Sequence, residues 1–545
     1  MKSVLILGGY GGFGRRLSYR LAARGYTLWI AGRSQAKAAA FCRELGCGTP
    51  IIADRNRPLD AVLQAAQPFI LIDAAGPFQT SDYRVAEACI RNGVHYLDLA
   101  DARDFVCGIH RLDATAIEQG VIVRSGASSV PALSGAVIQK LTASMGCVSR
   151  IDMAISASSR ATLGASVAKA ILSYAGQKLT VWRGQSWTDA FGWQQLSRST
   201  FAVKGRKPLS RLIALADVPD HEIWPRTLSG NPAVTFKAGT ESAFQMLGLW
   251  LLSWLVRWRW LSNLVGLAPA LLPLQRLTAW LGNNRSAMMI EVFGFQDELP
   301  QRRTWTLLAE QGDGPEIPTL AAACLTDLIQ AGRVPPGARD GSQDIGLEQF
   351  QAEFSKLAIV EGWATFPEIP LYQKVMEAEF DLLPSSLRAM HSYIGDGAAS
   401  GQAVVERGKH PASALLCFVF GFPSSGQHGL RVHFRKDNAS DLWVRHFGQH
   451  RMKSRLRQAN RKLVEQFGPL DFYFDLTRED QGLKMTLKRW TAFGVPLPFA
   501  LAPRVEAREW DVAGNFQLSV SISAPVIGLI VRYNGHLAPE RAVAP

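Results

Sequence analysis

The sequence is poor in charged residues and lacks the short motifs of several enzyme classes. Only 19% of its 545 residues are charged, and its seven cysteines form no C-x-x-C pair and no zinc-ligand spacing. That pattern excludes the common zinc modules and predicts free thiols in a reducing compartment. Without a G-x-S-x-G nucleophile elbow, a hydrolase of that type is not indicated. No run of about 20 apolar residues is free of charge and proline, so a spanning helix is not expected.

The N-terminus has no room for a secretion signal, because an apolar strand pattern begins directly after Met1, Lys2 and Ser3. We therefore expect a cytoplasmic protein. The formal net charge of +13 favours anionic partners, such as phosphates, acidic lipid headgroups or nucleic acid, without choosing among them. The length suggests two to four domains.

A glycine-rich turn at the N-terminus is the most informative motif. The apolar run Val4–Leu7 is followed by G-G-Y-G-G-F-G and then by an amphipathic helical pattern. Gly9, Gly11 and Gly14 have the G-x-G-x-x-G spacing of a dinucleotide site, in which the glycines let the backbone approach a pyrophosphate. Together with Gly12 and Phe13, they are the predicted phosphate-binding residues.

The residues after the next two strands indicate which dinucleotide binds. The pattern Thr27–Ala31 ends in Gly32 and then Arg33 and Ser34, where an NAD enzyme usually has an acidic residue. An arginine cannot accept a hydrogen bond from the ribose 2'-hydroxyl but can pair with a 2'-phosphate. The sequence therefore predicts NADP rather than NAD. Asp54, at the end of a third strand, is predicted either to contact the adenine or to cap a helix.

Further strands and helices alternate up to about residue 130. The apolar run 69–73 ends in small residues, as expected of a central parallel strand whose carboxyl end lies beside a ligand. Ala75, Gly76, Pro77 and Phe78 are therefore predicted cofactor contacts. The alternation predicts an α/β fold, a Rossmann-type doubly wound parallel sheet.

At this point the sequence resembles the saccharopine dehydrogenase-like reductases. The matching segments are G-G-Y-G-G-F-G at 8–14, D-A-A-G-P-F at 73–78, A-C-I-R-N-G-V-H-Y-L-D-L at 88–99 and S-G-A-S-S-V-P at 125–131. Weaker matches at Thr162, Leu163, Ser166, 312–315, Gly332 and 335–338 extend the resemblance to about residue 355. It implies an NADP-binding domain over 1–130 and a second α/β domain over 131–355 that covers the cofactor.

The sequence departs from the family pattern where the nicotinamide is expected. Ser128 stands where many members have an aspartate, and Asp101-Ala102 where many have Gly-Glu. The candidate proton-transfer residues near that end are Ser128, Ser129, Tyr96 and Asp98, each of which could instead cap or pack. The spacing of Tyr174 and Lys178 is that of the short-chain dehydrogenase pair, but a chance match is favoured.

The segment 244–281 is strongly apolar and rich in tryptophan. Trp250, Trp254 and Trp258 recur on one helical face with arginines nearby, a composition typical of a helix lying in a membrane interface. Three interpretations stay open: a buried helix pair, peripheral membrane contact on the inner face, and a lid over a hydrophobic substrate.

The last third of the chain changes in character. One helical stretch, Leu371 to about Ser392, precedes segments in which apolar and polar residues alternate, which predicts a separate antiparallel β-rich domain over 365–540. It resembles an uncharacterised domain that often follows such reductases in bacterial proteins, through segments at 468–474, 496–498, 502–510 and 531–533.

Basic residues cluster between Arg445 and Lys462 in this third. They are interpreted as solvated faces or as an anionic-lipid patch. Because aromatic interleaving is scarce, nucleic acid is not an expected partner. His446 and His450 would need further ligands to hold a metal, and no metal site is predicted.

The sequence thus predicts an NADP-dependent oxidoreductase of the saccharopine dehydrogenase-like family. It acts by hydride transfer on a hydrophobic, lipid- or polyketide-like small molecule. The alternative is a non-catalytic NADP-binding protein that serves as a membrane-associated scaffold or binds lipid. A homodimer is one assembly compatible with either hypothesis.

Overall fold

The computed structural model describes residues 2–158, 165–269, 282–437 and 440–540. The chain begins with six parallel strands: β1 Ser3–Leu7, β2 Thr27–Gly32, β3 Thr49–Ile52, β4 Ile70–Asp73, β5 His95–Asp98 and β6 Ile122–Ser125. They lie in the order β6-β5-β4-β1-β2-β3, and the segment Gly337–Asp340 adds a seventh parallel strand beside β6. This is the predicted doubly wound sheet.

Helices cover both faces of this sheet. They are Gly12–Ala23, Gln35–Leu45, Asp60–Ala66, Arg84–Arg91, Arg103–Gly108, Asp113–Glu118 and Ser134–Thr142, with short turns Ile109–Leu112 and Ser129–Leu133. Val4 and Ile6 pack into the core on one face of β1, and Leu5 and Leu7 into the core on the other. Because both faces are buried, the strand is continuously apolar rather than alternating.

The second sheet is mixed and follows in the chain. Its strands are β7 Cys147–Ala157, β10 Ser197–Phe201, β11 Leu209–Leu215, β12 Ala233–Thr240, β13 Ser286–Gln296, β14 Leu299–Ala309 and β16 Ile359–Pro367. The same part of the chain also contains β8 Lys178–Arg183 and β9 Ser186–Phe191, and the segment Gly337–Asp340 of the first sheet is numbered β15. The sheet order is β10-β11-β12-β7-β13-β14-β16, and β8 and β9 form a separate hairpin. The helices are Ala165–Tyr174, Asp220–Thr227 and Ala243–Arg257, with short turns Val265–Leu267 and Gly314–Glu316.

The chain returns to the first domain before it finishes the second. Strand β15 pairs with β6, and the helices Ile317–Gln330 and Leu347–Phe354 pack together, the former also against Gly12–Ala23. The sequence analysis placed this stretch in the second domain. A strand of four residues, Gly-Ala-Arg-Asp, has too few apolar positions to show a periodicity.

The C-terminal domain is a closed antiparallel barrel. Its strands are β17 Asp396–Arg407, β18 Gly426–Asp437, β19 Ser440–Phe447, β20 His450–Ala459, β21 Lys462–Phe467, β22 Leu470–Glu479, β23 Gly482–Ala492, β24 Val495–Pro496, β25 Arg504–Val512, β26 Asn515–Ala524 and β27 Gly528–Pro539. Pairing of β22 with β23 and of β17 with β27 closes the ring, and β24 is a short appendage on β23. The predicted antiparallel β-rich domain is confirmed.

Short helices lie at both ends of the barrel. Leu371–Met376, Glu377–Phe380 and Ser385–His391 precede it, Pro411–Phe420 connects β17 to β18, and Phe499–Leu501 follows β24. The single helical stretch predicted from Leu371 to Ser392 is therefore wrong. Pro384 stands directly before the helix Ser385–His391, where its missing N–H and fixed φ favour a helix start over a continuous helix.

The basic residues of the barrel are mostly neutralised by carboxylates. Arg445 pairs with Glu465 at 3.0 Å, Arg457 with Asp471 at 2.7 Å, and Arg455 with Asp437 at 2.5 Å. His446 and His450 lie on adjacent strands, and no group of residues in the described ranges could hold a metal ion. The prediction that these basic residues lie on solvated strand faces is sufficient to explain why they cluster in the sequence.

The helix Ala243–Arg257 has one buried and one exposed apolar face. Met246, Ser253 and Val256 pack into the second domain, whereas Phe244 and Leu251 are well exposed. Residues 270–281 of the predicted apolar segment lie outside the described residues. Across the described part of the chain, no helix is long and apolar enough to cross a membrane. All seven cysteines are free, as predicted.

Candidate cofactor and substrate cleft

A cleft of about 1590 Å³ runs along the carboxyl ends of the first sheet. Its walls come from the loops after β1, β2, β3, β4 and β6, and from the ends of β7 and β13 in the second domain. Ligand pockets for drug-sized molecules usually measure roughly 300–1,000 Å³. This cleft is therefore large enough for a dinucleotide and a substrate together.

The glycine turn brings the first helix close to β1. A Cβ atom on Gly14 would lie 2.2 Å from the carbonyl oxygen of Gly8, so only glycine fits there. Gly8 itself has φ +80°, a left-handed conformation that a larger residue rarely adopts. The positive φ of the turn thus belongs to Gly8 and not to Gly9, the first glycine of the G-x-G-x-x-G spacing.

The first helix presents free backbone N–H groups to the cleft. Gly11 is its N-cap residue and no side chain caps it. Gly11, Gly12 and Phe13 line the cleft, whereas Gly9 and Gly14 lie behind them and serve the close packing. An uncapped helix N-terminus is a site for an anion such as a phosphate. These residues fit the pyrophosphate of a dinucleotide.

The adenosine side of the cleft lies after β2 and β3. Arg33 is exposed, lines the cleft and forms no ion pair with any described residue. Ser34 instead caps the helix Gln35–Leu45 by accepting a hydrogen bond from the Lys37 N–H at 3.4 Å. Asp54 lines the cleft and accepts from the Asn56 N–H at 3.0 Å. Arg33 is thus the cation left for a 2'-phosphate.

Tyr10 was not foreseen and shapes this side of the cleft. A Cβ atom on Gly32 would lie 2.5 Å from the Tyr10 ring, and the Ser34 N–H donates to the Tyr10 hydroxyl at 3.1 Å. Glycine at the end of β2 therefore lets the ring lie across the strand. The only sequence signal was the glycine directly before Arg33.

Arg55 fixes the turn after β4. Its guanidinium pairs with Asp73 at 3.2 Å and donates to the carbonyl oxygen of Ala75 at 3.2 Å and to the Ser81 hydroxyl at 2.7 Å. Asp73 is fully buried, and burial raises the pKa of its carboxyl while Arg55 opposes the shift. The sequence analysis did not identify Arg55. Its partner Asp73 lies eighteen residues further along the chain, and a pairing over that distance produces no helical or strand periodicity in the sequence.

Three of the four predicted residues of that turn line the cleft. Ala75, Gly76 and Pro77 do so, but the Phe78 ring is buried against Phe105 and lies under the Arg55 guanidinium at 4.7 Å. The role predicted for Phe78 as a cofactor contact is therefore corrected: it supports the turn from behind.

The predicted proton-transfer residues fall into two groups. Ser129 lines the cleft. Tyr96 and Asp98 are fully buried in β5, and Ser128 is buried in the loop after β6. The Asp98 carboxylate accepts from the N–H groups of Ala100 at 3.0 Å and Gly126 at 2.8 Å, so it holds two loops together. Burial raises the pKa of Asp98 to about 6.

The second domain supplies the opposite wall near Ser129. Ile155, Ala157 and Met288 give it an apolar surface, and Ser156 and Lys169 add polar groups. Lys169 is exposed in the cleft and makes no ion pair with any described residue. The other described cleft cations Arg15, Arg16, Arg20, Arg24, Arg55, Arg84 and Lys356 are each paired with a carboxylate. Arg33 and Lys169 are therefore the cleft's unpaired cations in the described ranges.

The Tyr174 and Lys178 pair does not reach the cleft. Tyr174 stacks on Trp193 with ring centroids 6.3 Å apart, and Lys178 is paired with Asp189 at 2.9 Å. Burial raises the pKa of the Tyr174 hydroxyl far above its usual value. Thr162 and Leu163 lie outside the described residues, as does the Ser166 side chain.

Comparison with known families agrees with this geometry. Residues 4–123 match the family model described as the saccharopine dehydrogenase NADP binding domain. The N-terminal domain thus matches the family that the sequence resembles, and its cofactor is NADP, as the sequence predicted. Residues 383–537, which include most of the barrel, match the model of a domain of unknown function, DUF4166.

Solved structures give a more distant likeness. Apo saccharopine dehydrogenase (L-Glu forming) from Saccharomyces cerevisiae is 13% identical, with a TM-score of 0.47 over 67% of this chain and 100% of that chain. Gre2 from Candida albicans, in complex with NADPH, is 18% identical, with a TM-score of 0.17 over 18% of this chain and 36% of that chain. No curated protein is significantly similar to the sequence. Likeness at this level says nothing of the substrate.

Proposed function

We propose that this protein is an NADP-dependent oxidoreductase that acts on a hydrophobic, lipid- or polyketide-like substrate. The observation that carries the proposal is the unpaired Arg33 beside an uncapped helix N-terminus, in a domain of an NADP-binding family. Bound NADP would supply or accept a hydride at its nicotinamide ring. The protein's own residues then have to orient the substrate, exclude water and move one proton.

The substrate subsite is proposed at the end of the cleft away from Arg33. The sheet order places the loops after β2 and β3 on one side of β1, and those after β4 and β6 on the other. If the adenosine is bound beside Arg33, the nicotinamide falls near Gly76, Pro77 and Ser129. That end faces Ile155 and Met288 of the second domain.

The charges of the cleft favour a mostly apolar substrate with one polar group. A diacid would require several converging cations. In the described residues, once Arg33 is assigned to the cofactor, Lys169 is the unpaired cation that is left. We propose that the Lys169 ammonium donates the proton to a substrate oxygen as the hydride reaches carbon, and that the Ser129 hydroxyl hydrogen-bonds the same oxygen.

We further propose peripheral contact with a lipid surface through the helix Ala243–Arg257. Its exposed face carries Phe244, Leu247 and Leu251, and Trp258 and Trp260 follow it, all at least 41% exposed. An apolar face flanked by basic residues such as Arg257 and Arg259 is typical of interfacial helices. Such contact would bring the enzyme to a membrane-borne substrate.

The test is a titration of the purified protein with NADPH and with NADH, followed by turnover assays. Fluorescence measures the two affinities, and nicotinamide absorbance follows oxidation in the presence of long-chain ketones and enones, with and without anionic vesicles. We expect tighter NADPH binding and turnover of at least one such substrate. Binding without turnover would favour the non-catalytic scaffold, which the burial of Ser128, Tyr96 and Asp98 keeps as the second candidate. Absence of NADPH binding would overturn both.

A further inference from the structure

The C-terminal barrel encloses an elongated apolar cavity of about 320 Å³. Its wall is built by alternate residues of the strands, such as Leu430, Val432 and Phe434 on β18 and Phe516, Leu518 and Val520 on β26. Pockets that hold small molecules start at roughly 300 Å³ and are lined mostly by apolar and aromatic side chains. Closed barrels of about eight strands can hold one small ligand, and the interior widens with strand number, so this ring of ten strands has room for one.

The cavity has a closed floor and an open end. Tyr372, Met390 and His391, from the helices that precede the barrel, line it at the end where β18 turns into β19. At the opposite end Leu416 and Phe420 of the helix Pro411–Phe420 line it. Leu501 also lines the cavity at that end and is 64% exposed, so the cavity reaches the surface there.

The open end is ringed by exposed apolar side chains. They come from the helix Pro411–Phe420 and from the connections at the same end of the barrel, and each is at least 58% exposed: Leu415, Phe418, Val419, Phe493, Val495, Phe499, Leu501 and Val526. Large exposed apolar patches of this kind mark sites of interaction. Because these side chains surround the mouth of an apolar cavity, an apolar molecule could pass from a lipid surface or a partner into the cavity without crossing water.

The floor carries polar groups that are paired with one another. His391 Nε2 lies 2.7 Å from a carboxylate oxygen of Glu509, and Arg445 pairs with Glu465 at 3.0 Å beside the Trp443 ring. His391 Nδ1 and Trp443 Nε1 are buried without a hydrogen-bond partner among the described residues. Native cores leave few polar atoms unpaired, and a polar group on a bound molecule would satisfy these two.

We propose that the barrel is a binding site for one neutral apolar molecule that carries a single hydroxyl or carbonyl group. Its polar end lies at the floor, within reach of His391 Nδ1 and Trp443 Nε1, and its apolar body fills the cavity up to Leu501. An ionised headgroup is disfavoured at the floor, because Glu509 and Arg445 each already lie against a polar partner. Arg508 also borders the cavity, but its side chain is exposed. The proposal assigns a role to the barrel and stands independently of the function proposed for the cleft.

The test uses the full chain, after extraction of endogenous ligand with an apolar resin, and the neutral fluorophore N-phenyl-1-naphthylamine. Val520→Phe places a larger ring in the cavity, and Ser519→Phe places the same ring on the outer face of the same strand. We expect wild-type protein and Ser519→Phe to bind the probe with similar affinity and Val520→Phe to bind it at least tenfold more weakly. Ala524→Phe, nearer the open end, replaces Val520→Phe if that variant does not fold.

Thermal unfolding and NADPH affinity, both measured on the ligand-free variants, serve as controls for correct folding, because ligand bound in the barrel would itself raise the melting temperature. A second series uses decanol and decanoate at a pH at which the acid is ionised, each in competition with the probe. Displacement by the alcohol and not by the carboxylate supports a neutral ligand. Equal probe binding by Val520→Phe and Ser519→Phe, absence of binding by the wild type, or preferential displacement by decanoate would overturn the proposal.

Discussion

Arg55 forms an ion pair with Asp73 at 3.2 Å, and through it the loop after β3 is tied to the Ala75–Pro77 turn of the cleft. Asp73 is completely buried and the Arg55 side chain is 12% exposed, so the pair is largely shielded from solvent. The pair therefore links the two sides of β1 at the position where a dinucleotide has to bridge them.

Loss of Arg55 alone should destabilise the first domain. Arg55→Met leaves a buried carboxylate without its cation, which costs about 3–5 kcal/mol when such a pair is broken. We expect a lower free energy of unfolding in urea and weaker NADPH binding, because the Ala75–Pro77 turn loses its hydrogen bonds. The double variant Arg55→Met with Asp73→Asn removes the unpaired charge and should recover part of the stability but not the affinity. Equal stability of the single and double variants would contradict this account.

The glycine turn offers a pair of matched substitutions. Gly14→Ala puts a Cβ atom 2.2 Å from the Gly8 carbonyl oxygen, whereas Gly12→Ala meets nothing within 4 Å. We expect Gly14→Ala to lower the melting temperature of the N-terminal domain and to abolish NADPH binding. Gly12→Ala should leave the melting temperature unchanged or slightly higher, since alanine is the better helix former. Similar melting temperatures for the two variants would show that the close approach does not matter.

Arg33 should be the residue that makes the protein bind NADPH more tightly than NADH. Arg33→Ala removes the cation proposed for the 2'-phosphate, so NADPH affinity should fall by about 10- to 100-fold, as for one charge-assisted pair of about 1.5–3 kcal/mol. NADH affinity should stay the same, because NADH has no 2'-phosphate. Arg91→Ala, which removes an arginine paired with Asp60 outside the cleft, is the control. A parallel loss of both affinities after Arg33→Ala would refute the assignment.

Asp98 gives the first domain a pH-dependent stability. The pKa of its carboxyl rises from 3.8 to about 6 on folding, because burial disfavours the charged form. The folded state therefore binds the proton more tightly, and this contribution to stability is present at low pH and is lost as the pH rises from about 4 to 6. The loss amounts to about 3 kcal/mol at most.

Asp98→Asn keeps an oxygen that can accept from Ala100 and Gly126 but does not titrate. We expect the melting temperature of the variant to change less between pH 4 and pH 7 than that of the wild type. Turnover should persist if Asp98 only holds the two loops. Loss of turnover with intact NADPH affinity would instead restore Asp98 as a proton-transfer residue.

The exposed face of the helix Ala243–Arg257 should mediate vesicle binding. The double variant Phe244→Ser and Leu251→Ser removes two well-exposed apolar side chains from that face. We expect the fraction of protein that sediments with anionic vesicles to fall severalfold, since each buried apolar side chain contributes about 1.5–3 kcal/mol. Ile117→Ser, which changes an apolar side chain 56% exposed on the first domain, should have no effect. Equal sedimentation of all variants would exclude this face.

Local patterns in the sequence were enough to predict the Rossmann-type sheet from β1 to β6 and an antiparallel β-rich domain at the end of the chain. Val4–Leu7, the glycine spacing and Arg33 in place of an acid depend on neighbours within a few residues, so their meaning can be read without a tertiary structure. The same holds for the alternating segments of β18 and β26, where one face is buried and the other is wet.

Other features depended on contacts between distant residues. Strand β15 pairs with β6, although it follows β6 by more than two hundred residues in the chain. Arg55, in the loop after β3, forms an ion pair with Asp73 at the end of β4. Phe78 lies in the turn after β4 and Asp98 at the end of β5, as predicted. The Phe78 ring is turned inward by its packing against Phe105, and the Asp98 carboxylate by the N–H groups of Ala100 and Gly126. No pattern in the chain reports which way such a side chain turns.

The sequence by itself determined the cofactor class and the succession of an α/β half and a β half, because helix periodicity, strand alternation and glycine spacing are local properties. Only the tertiary structure decided which cations in the cleft are unpaired and that the last β segments close around an apolar cavity. Ring closure requires β17 to meet β27, and an unpaired charge is defined by what lies beside it in space. Both are long-range relations that the order of residues does not express.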